Sequence, residues 1–282
     1  MEGVIWRWIY CGSKKMKCVI CGGGEFNYDN DIACRCIKCN ILYNLKTKEL
    51  DYSDGGGQDI PTIEKSKQRV QNAFKRFEII TPYKHTHNVF VDIGCGSGEM
   101  LEASKQFFDY HIGYDKNKVL IKHTQQKGLN TFNKYFESVD IENELGGVML
   151  SINHVLEHTA NPIDLLEDIL DNLNKNDVIY IEVPLYTGYS FTTKKYNWSL
   201  WYDEHLALYS METLEFIANK LDLKVLDKGY RNFITDNDNR ALLLKNITKN
   251  FLSTLKGILS KKSYQLTLDN VLKDYGFIVL KK

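Results

Sequence analysis

Net charge is the first thing this chain lacks. Its 282 residues carry 36 Lys+Arg against 36 Asp+Glu, so no global positive field recruits phosphate backbones, and a nucleic-acid partner is disfavoured. An apolar run approaching the roughly 20 residues needed to cross a bilayer is also missing. The opening stretch "MEGVIWRWIYCGSKKMKC" has neither a signal-peptide core nor a cleavage site. A cytoplasmic location is expected, with Met16 an alternative start and residues 1–16 an extension. Beyond residue 40 the chain is nearly devoid of cysteine, because six of its seven stand before that point. Disulfides rarely persist in a cytosolic chain, so this crowding calls for a metal.

Cys18 and Cys21 form one C-x-x-C and Cys36 and Cys39 a second, with fourteen residues between them. Two such knuckles fold into a ribbon that presents four thiolates tetrahedrally, the preferred geometry of structural Zn2+. Four thiolates leave no open position for water or substrate, which argues against a catalytic ion. Gly22, Gly23 and Gly24 suit the tight turn of the first knuckle. Cys34 competes for one ligand position and Cys11 is a bystander.

The ribbon is assigned to residues 17–50. Residues 51–84 then supply a linker, punctuated by "GGGQ" and Pro61, and a helix on which Ile63, Val70, Phe74, Phe77 and Ile80 recur at helical spacing. The glycine triplet reads equally as a joint or as a loop over a ligand. From residue 85 to 282 strands alternate with helices: "NVFVDIG", "HIGYD", "LNTFN", "GGVMLSINH", "DVIYIEVPL", "LKVLDKGYR" and "GFIVLKK" read as strands. The expected fold class is therefore α/β, a Rossmann-like, doubly wound, mostly parallel seven-stranded sheet with a small N-terminal zinc ribbon.

In "VFVDIGCGSGEML" the glycines Gly94, Gly96 and Gly98 follow the first strand of this domain, where a ligand approaches at backbone distance. A dinucleotide site wants G-x-G-x-x-G, but Glu99 holds the position of its last glycine and would repel a pyrophosphate. Asp115, ending the second strand, can accept hydrogen bonds from both ribose hydroxyls. An adenosine without a phosphate fits better than NAD.

"VDIGCGSGEML", "GYD", "INHVLEHTANP" and "IEVP", in this order, resemble the class I S-adenosylmethionine-dependent methyltransferases over about residues 65–230. The resemblance implies that Asp92, Gly94, Cys95, Gly96 and Gly98 surround the methionine part of the cofactor and that Asp115 holds its ribose. Asn153 and His154, in the loop after the fourth strand, go with the cofactor side; the adenine contacts stay open. The ribbon, "YSDGGGQDIP" and "WYDEHLALYSMETLEFI" are also similar to methyltransferases acting on sugars and other small polar metabolites in bacterial surface-glycan or natural-product pathways. Members that methylate sugar carbons carry a further long C-terminal domain, so oxygen methylation is expected. Those members often bear a zinc module too.

A hydroxyl acceptor calls for a base, and the candidates are His154, Glu157, His158 and His205. His205 is preferred, because the insertion at about 186–210 lies where acceptors dock and Trp198, Trp201 and Tyr202 could wall a sugar pocket. His158 is a second catalytic candidate with a cofactor-side role in view, and a His158–His205 pair on a divalent metal is a further reading. A solvated histidine base would lose activity below a pH near 6.5. The basic amphipathic stretch 240–262 is read as packed on the domain, with contact to a membrane surface or a partner subunit as the alternatives. Two rival functions remain: a zinc-ribbon rRNA or tRNA methyltransferase, and an inactive methyltransferase-like interaction module. The expected partner is a small-molecule acceptor, with the oligomeric state open.

Overall fold

The structure is a computed structural model and describes residues 16–47, 59–84, 87–134, 147–232 and 272–282. The N-terminal extension up to residue 15, the "GGGQ" segment and the basic stretch 240–262 lie outside these residues. Among the described residues no helix is long and apolar enough to cross a membrane.

Three short strands, β1 (Phe26–Asp29), β2 (Ala33–Cys36) and β3 (Leu42–Asn44), pair antiparallel into a ribbon. α1 (Ile63–Ile80) opens on Thr62, which accepts the Lys65 N–H at 3.3 Å, and buries Ala73, Arg76, Phe77 and Ile80 at helical spacing. β4 (His87–Ile93) is buried at every position except Asn88, the pattern of a strand covered on both faces. The alternation continues through α2 (Glu99–Ser104), β5 (Tyr110–Tyr114), α3 (Lys118–Gln126), β6 (Thr131–Phe132), β7 (Gly147–Asn153), α4 (Pro162–Asp171) and β8 (Val178–Pro184). Then come α5 (Tyr189–Lys194), β9 (Ala207–Leu208), α6 (Met211–Lys220), β10 (Lys224–Arg231) and β11 (Tyr275–Lys281).

Seven strands form one sheet in the order β10-β11-β8-β7-β4-β5-β6. β4 to β8 pair in parallel, and β11 runs antiparallel to both β8 and β10. This is the α/β, mostly parallel seven-stranded fold expected from the sequence, closed by "GFIVLKK". The chain leaves central β4 outward to β6 and returns as β7 on the other side of β4. That reversal opens a crevice at the carboxyl ends of β4 and β7, the usual ligand position on such sheets.

α2 is shorter than "GEMLEASKQFF" suggests. Adjacent residues on a helix diverge by about 100° around its axis, so a continued helix could not aim both Phe107 and Phe108 at the same neighbour. The turn after Ser104 does so: their rings lie 4.9 and 6.0 Å from that of Phe77.

The ribbon is built into the body. β3 pairs antiparallel with β9, Leu42 opposite Leu208 and Tyr43 opposite Ala207, giving a second sheet β1-β2-β3-β9. Thr213 Oγ1 donates to the Cys39 carbonyl at 2.9 Å, Tyr186 Oη to that of Asn40 at 2.9 Å, and Lys220 Nζ to that of Ile20 at 2.8 Å. Ile20, Ile41 and Tyr43 share one apolar core with Tyr209, Leu214 and Ile217. Trp198 belongs to this junction: it is buried against Phe191 beside Ala33 and Leu42, in ribbon packing instead of an open pocket wall.

Candidate active site

The knuckles bring Cys18, Cys21, Cys36 and Cys39 together, with all four Sγ atoms within 4.8 Å of one another. Cys18 and Cys39 are 3.3 Å apart and Cys21 and Cys36 3.4 Å apart. Zn–S bonds of about 2.3 Å in a tetrahedron separate sulfurs by about 3.8 Å, so the set fits a zinc ion. Tyr43 Oη at 3.1 Å from Cys18 Sγ and the Gly23 N–H at 3.4 Å from Cys21 Sγ are suited to orient thiolates. Cys34 is not a fifth member. Its thiol faces Met16 Sδ at 3.8 Å, and burial pushes it up to about 12.

At the carboxyl end of β4 the backbone enters the left-handed region at Gly94 (φ 70°), Gly96 (φ 51°) and Gly98 (φ 87°). A Cβ on Gly94 would run into Val155, and one on Gly98 would come within 2.5 Å of Leu129. These glycines are therefore demanded by their own backbone as well as by any ligand. Cys95 turns its thiol into the core, so only its backbone faces the loop. Asp115 closes the loop from β5: its Oδ2 accepts the Gly96 N–H at 2.8 Å and its Oδ1 the Asn117 N–H at 2.8 Å. Each carboxylate oxygen keeps a lone pair for a further donor. Glu99 is held by Ser97 Oγ at 2.7 Å and Arg69 at 3.9 Å, which joins α1 to the glycine loop.

Asp92 is buried, opposite Ser151 across the β4–β7 pairing. Its Oδ1 accepts from Ser151 Oγ at 2.5 Å and Asn153 Nδ2 at 3.5 Å. Burial pushes the carboxyl up to about 7, against the pull of these donors and of Arg76.

After β7 the chain turns sharply. His154 has φ 55°, and its two ring nitrogens lie 3.2 Å from Glu157 Oε1 and 3.2 Å from Glu182 Oε1. Burial opposes its charge, but the two carboxylates outweigh it and raise His154 to about 9. As an imidazolium between two acids it has no lone pair with which to act as a base. Glu157, His158 and His205 converge beyond it. Glu157 is fully buried, and despite that burial His154 keeps its carboxyl below the usual range. His158 Nδ1 lies 3.0 Å from the Glu204 carbonyl, and the rings of His158 and His205 are 4.6 Å apart. The Tyr202 ring lies 4.3 Å from that of His205, tilted by 40°. Burial lowers His205 to about 4, well below the 6.5 of a solvated imidazole, so the side chain is neutral at pH 7.

Sequence reasoning missed the buried ion network beneath this loop. Glu182 on β8 meets Arg76 at 2.5 Å, Arg231 at 3.4 Å and Tyr180 Oη at 2.6 Å. Burial opposes ionisation, yet Arg76 and Arg231 hold its carboxyl well below the usual range. The signal was present in a lone acid within "VIYIEVP" and a lone arginine on the apolar stripe of α1.

A sequence model of a methyltransferase domain matches residues 64–228, more than half of the chain. No curated protein gives a significant match. Among solved structures, a SAM-dependent methyltransferase from Archaeoglobus fulgidus is similar with a TM-score of 0.53 at 21% identity, over 78% of this chain and 98% of that one. A chain from the complex of the Haloferax volcanii Trm112 methyltransferase activator with a methyltransferase is similar at a TM-score of 0.50 and 13% identity, over 79% and 99%. The plantazolicin methyltransferase BpumL with bound SAH gives 0.48 and 20%, over 78% and 90%. At these identities the likeness to solved structures is one of fold.

Proposed function

The chain belongs to the methyltransferase-domain family and is an S-adenosylmethionine-dependent methyltransferase; from that premise we propose that it methylates a hydroxyl of a small polar metabolite, a sugar or nucleotide-linked sugar in surface-glycan biosynthesis. The observation that carries this reading is the polar group of Glu157, His158, Tyr202 and His205 following directly on Asn153 and the glycine loop. Imidazoles, a carboxylate and a phenol suit an acceptor rich in hydroxyls better than an apolar one.

In this reading Asp115 holds the ribose with its remaining lone pairs, while the glycine loop, Asp92 and Asn153 take the methionine end. The cofactor when bound supplies a methyl group on a cationic sulfur. With the cofactor bound, the acceptor oxygen would take the methyl carbon as the C–S electron pair leaves with sulfur, and the groups at the acceptor end would take up the hydroxyl proton. Positioning at about 3 Å supplies much of the rate. His205 engages the hydroxyl with His158 beside it, since a neutral imidazole can accept that proton. The four cysteines hold a structural zinc ion that keeps the ribbon folded against the insertion.

The test is methyl transfer from labelled S-adenosylmethionine to a panel of sugars and nucleotide sugars, with rRNA and tRNA alongside. Label in alkali-stable ethers of small hydroxylated acceptors is expected. Label confined to RNA, with a rate falling steeply as salt rises, would overturn the reading.

A further inference from the structure

Two imidazoles and a carboxylate meet at the proposed acceptor end, and two of their buried polar atoms find no hydrogen-bond partner among the described residues. A ligand-capable atom from each of Glu157, His158 and His205 lies within 4.8 Å of the other two. Glu157 and His158 come from the single turn after β7 and His205 from the insertion. The two segments are tied by the Leu206 N–H donating to the Glu157 carbonyl at 2.8 Å. The cluster is therefore held by backbone and does not rest on one flexible side chain.

Glu157 Oε2 and His205 Nδ1 are both buried without a hydrogen-bond partner among the described residues, on residues 0% and 3% exposed. Buried polar atoms are satisfied in the great majority of cases, and two orphans in one cluster point to a missing shared partner. His158 indicates its nature. With Nδ1 at 3.0 Å from the Glu204 carbonyl, Nδ1 is the donor of that bond and Nε2 is the ring nitrogen on its far side. An imidazole oriented by a carbonyl on its far nitrogen is the usual setting of a metal-ligating histidine. A carboxylate oxygen and two imidazole nitrogens are all metal-ligating groups, and a cation is what they have in common.

We propose that Glu157, His158 and His205 bind one divalent transition-metal ion, of the Mn2+, Co2+ or Zn2+ kind, at a second site separate from the four cysteines. Two imidazoles favour such ions over Mg2+ and Ca2+, which take oxygen ligands. Three protein ligands leave coordination positions open, and on these the ion anchors hydroxyl oxygens of the acceptor. This role rests on the reading of the acceptor end given above and revises it in one respect, because His205 then engages the hydroxyl through the ion.

The experiment uses the full chain with zinc retained in the four-cysteine site, a site whose thiolates prefer zinc to Mn2+. Mn2+ is titrated in and its unbound fraction read by electron paramagnetic resonance; Co2+ is titrated by calorimetry, and S-adenosylhomocysteine binding is measured on the same samples. One further ion per chain is expected, with imidazole nitrogen couplings in the pulsed spectrum of the wild-type Mn2+ complex. Binding should weaken at least tenfold in Glu157→Gln, His158→Ala and His205→Ala. The proposal is overturned if wild type binds neither ion, if the bound Mn2+ shows no imidazole coupling, or if the double variant His158→Ala/His205→Ala binds like wild type. The imidazole couplings need no substitution, so a variant that fails to fold does not blunt the test. S-adenosylhomocysteine bound without a second ion would sink the metal site alone; an ion bound without it would count against the cofactor reading.

Discussion

The side chain of Asn44 in the ribbon donates to the main-chain carbonyl of His205 at 3.2 Å, across 161 positions of sequence. The same amide reaches the Tyr202 carbonyl at 3.2 Å, and the Asn44 N–H donates to that of Leu206 at 3.0 Å. The ribbon thereby fixes the backbone of the loop that carries His205, the proposed acceptor-side histidine. Asn44→Ala removes both side-chain bonds and should destabilise the fold by about 1–2 kcal/mol. It should lower kcat/KM for the acceptor several-fold while S-adenosylhomocysteine affinity stays the same. Calorimetry and steady-state kinetics check this; a variant that lost cofactor affinity and kept acceptor kinetics would contradict it.

Zinc in the ribbon should matter to the whole fold, because the ribbon and α6 share one core. Purified protein should contain one tightly held zinc per chain. Cys36→Ser with Cys39→Ser should lose that ion and lower the melting temperature of the whole chain, since structural zinc binding is folding free energy. Cys34→Ser should retain it, its sulfur facing Met16. Metal analysis beside thermal melts decides; a double variant holding as much zinc per chain as wild type would refute the four-cysteine site.

Asp115→Ala removes the acceptor of the Gly96 and Asn117 N–H groups together with the proposed ribose contact. Loss of hydrogen bonds to a charged group should weaken S-adenosylmethionine binding by about 1.5–3 kcal/mol. An unchanged dissociation constant, measured by calorimetry, would remove Asp115 from the site.

What was legible in the chain was local. Two C-x-x-C pairs declare four thiolates because the spacing itself sets the geometry, and Gly94, Gly96 and Gly98 declare a turn that only glycine makes without strain. Strand and helix periods likewise sufficed for the seven-stranded sheet. Pairings between distant segments escaped. Leu42 opposite Leu208, Arg76 on Glu182 and Glu157 beside His205 join segments whose own patterns say nothing about each other. Burial also changed the chemistry expected of single side chains. His205 reads as an ordinary imidazole in "DEHLALYS", and enclosure moves it to about 4. His154 reads the same way and becomes an imidazolium between two acids. Short-range periodicity carries the fold, whereas desolvation, which sets the charge states, is a property of the assembled core.

Asp92 carries the last prediction. Burial raises its folded value to about 7, against 3.8 for a solvated carboxyl. Between these values the unfolded chain has released the proton and the folded chain still holds it. The stabilising preference for the protonated form is therefore full below about pH 4 and lost as pH rises to 7. At about 1.4 kcal/mol per unit the loss is on the order of 4 kcal/mol. Asp92→Asn cannot ionise, so its melting temperature should exceed that of wild type most clearly at pH 8, with the gap closing as pH falls. A cationic ammonium at the methionine end would favour the carboxylate. S-adenosylmethionine should accordingly bind wild type more tightly as pH rises from 6 to 7.5, approaching tenfold per unit at the acid end, and level off above. Asp92→Asn should bind it more weakly and with no such slope. If the variant were stabilised at pH 8 but kept wild-type cofactor affinity and pH dependence, Asp92 would be a buried acid of the sheet with no part in holding the methionine.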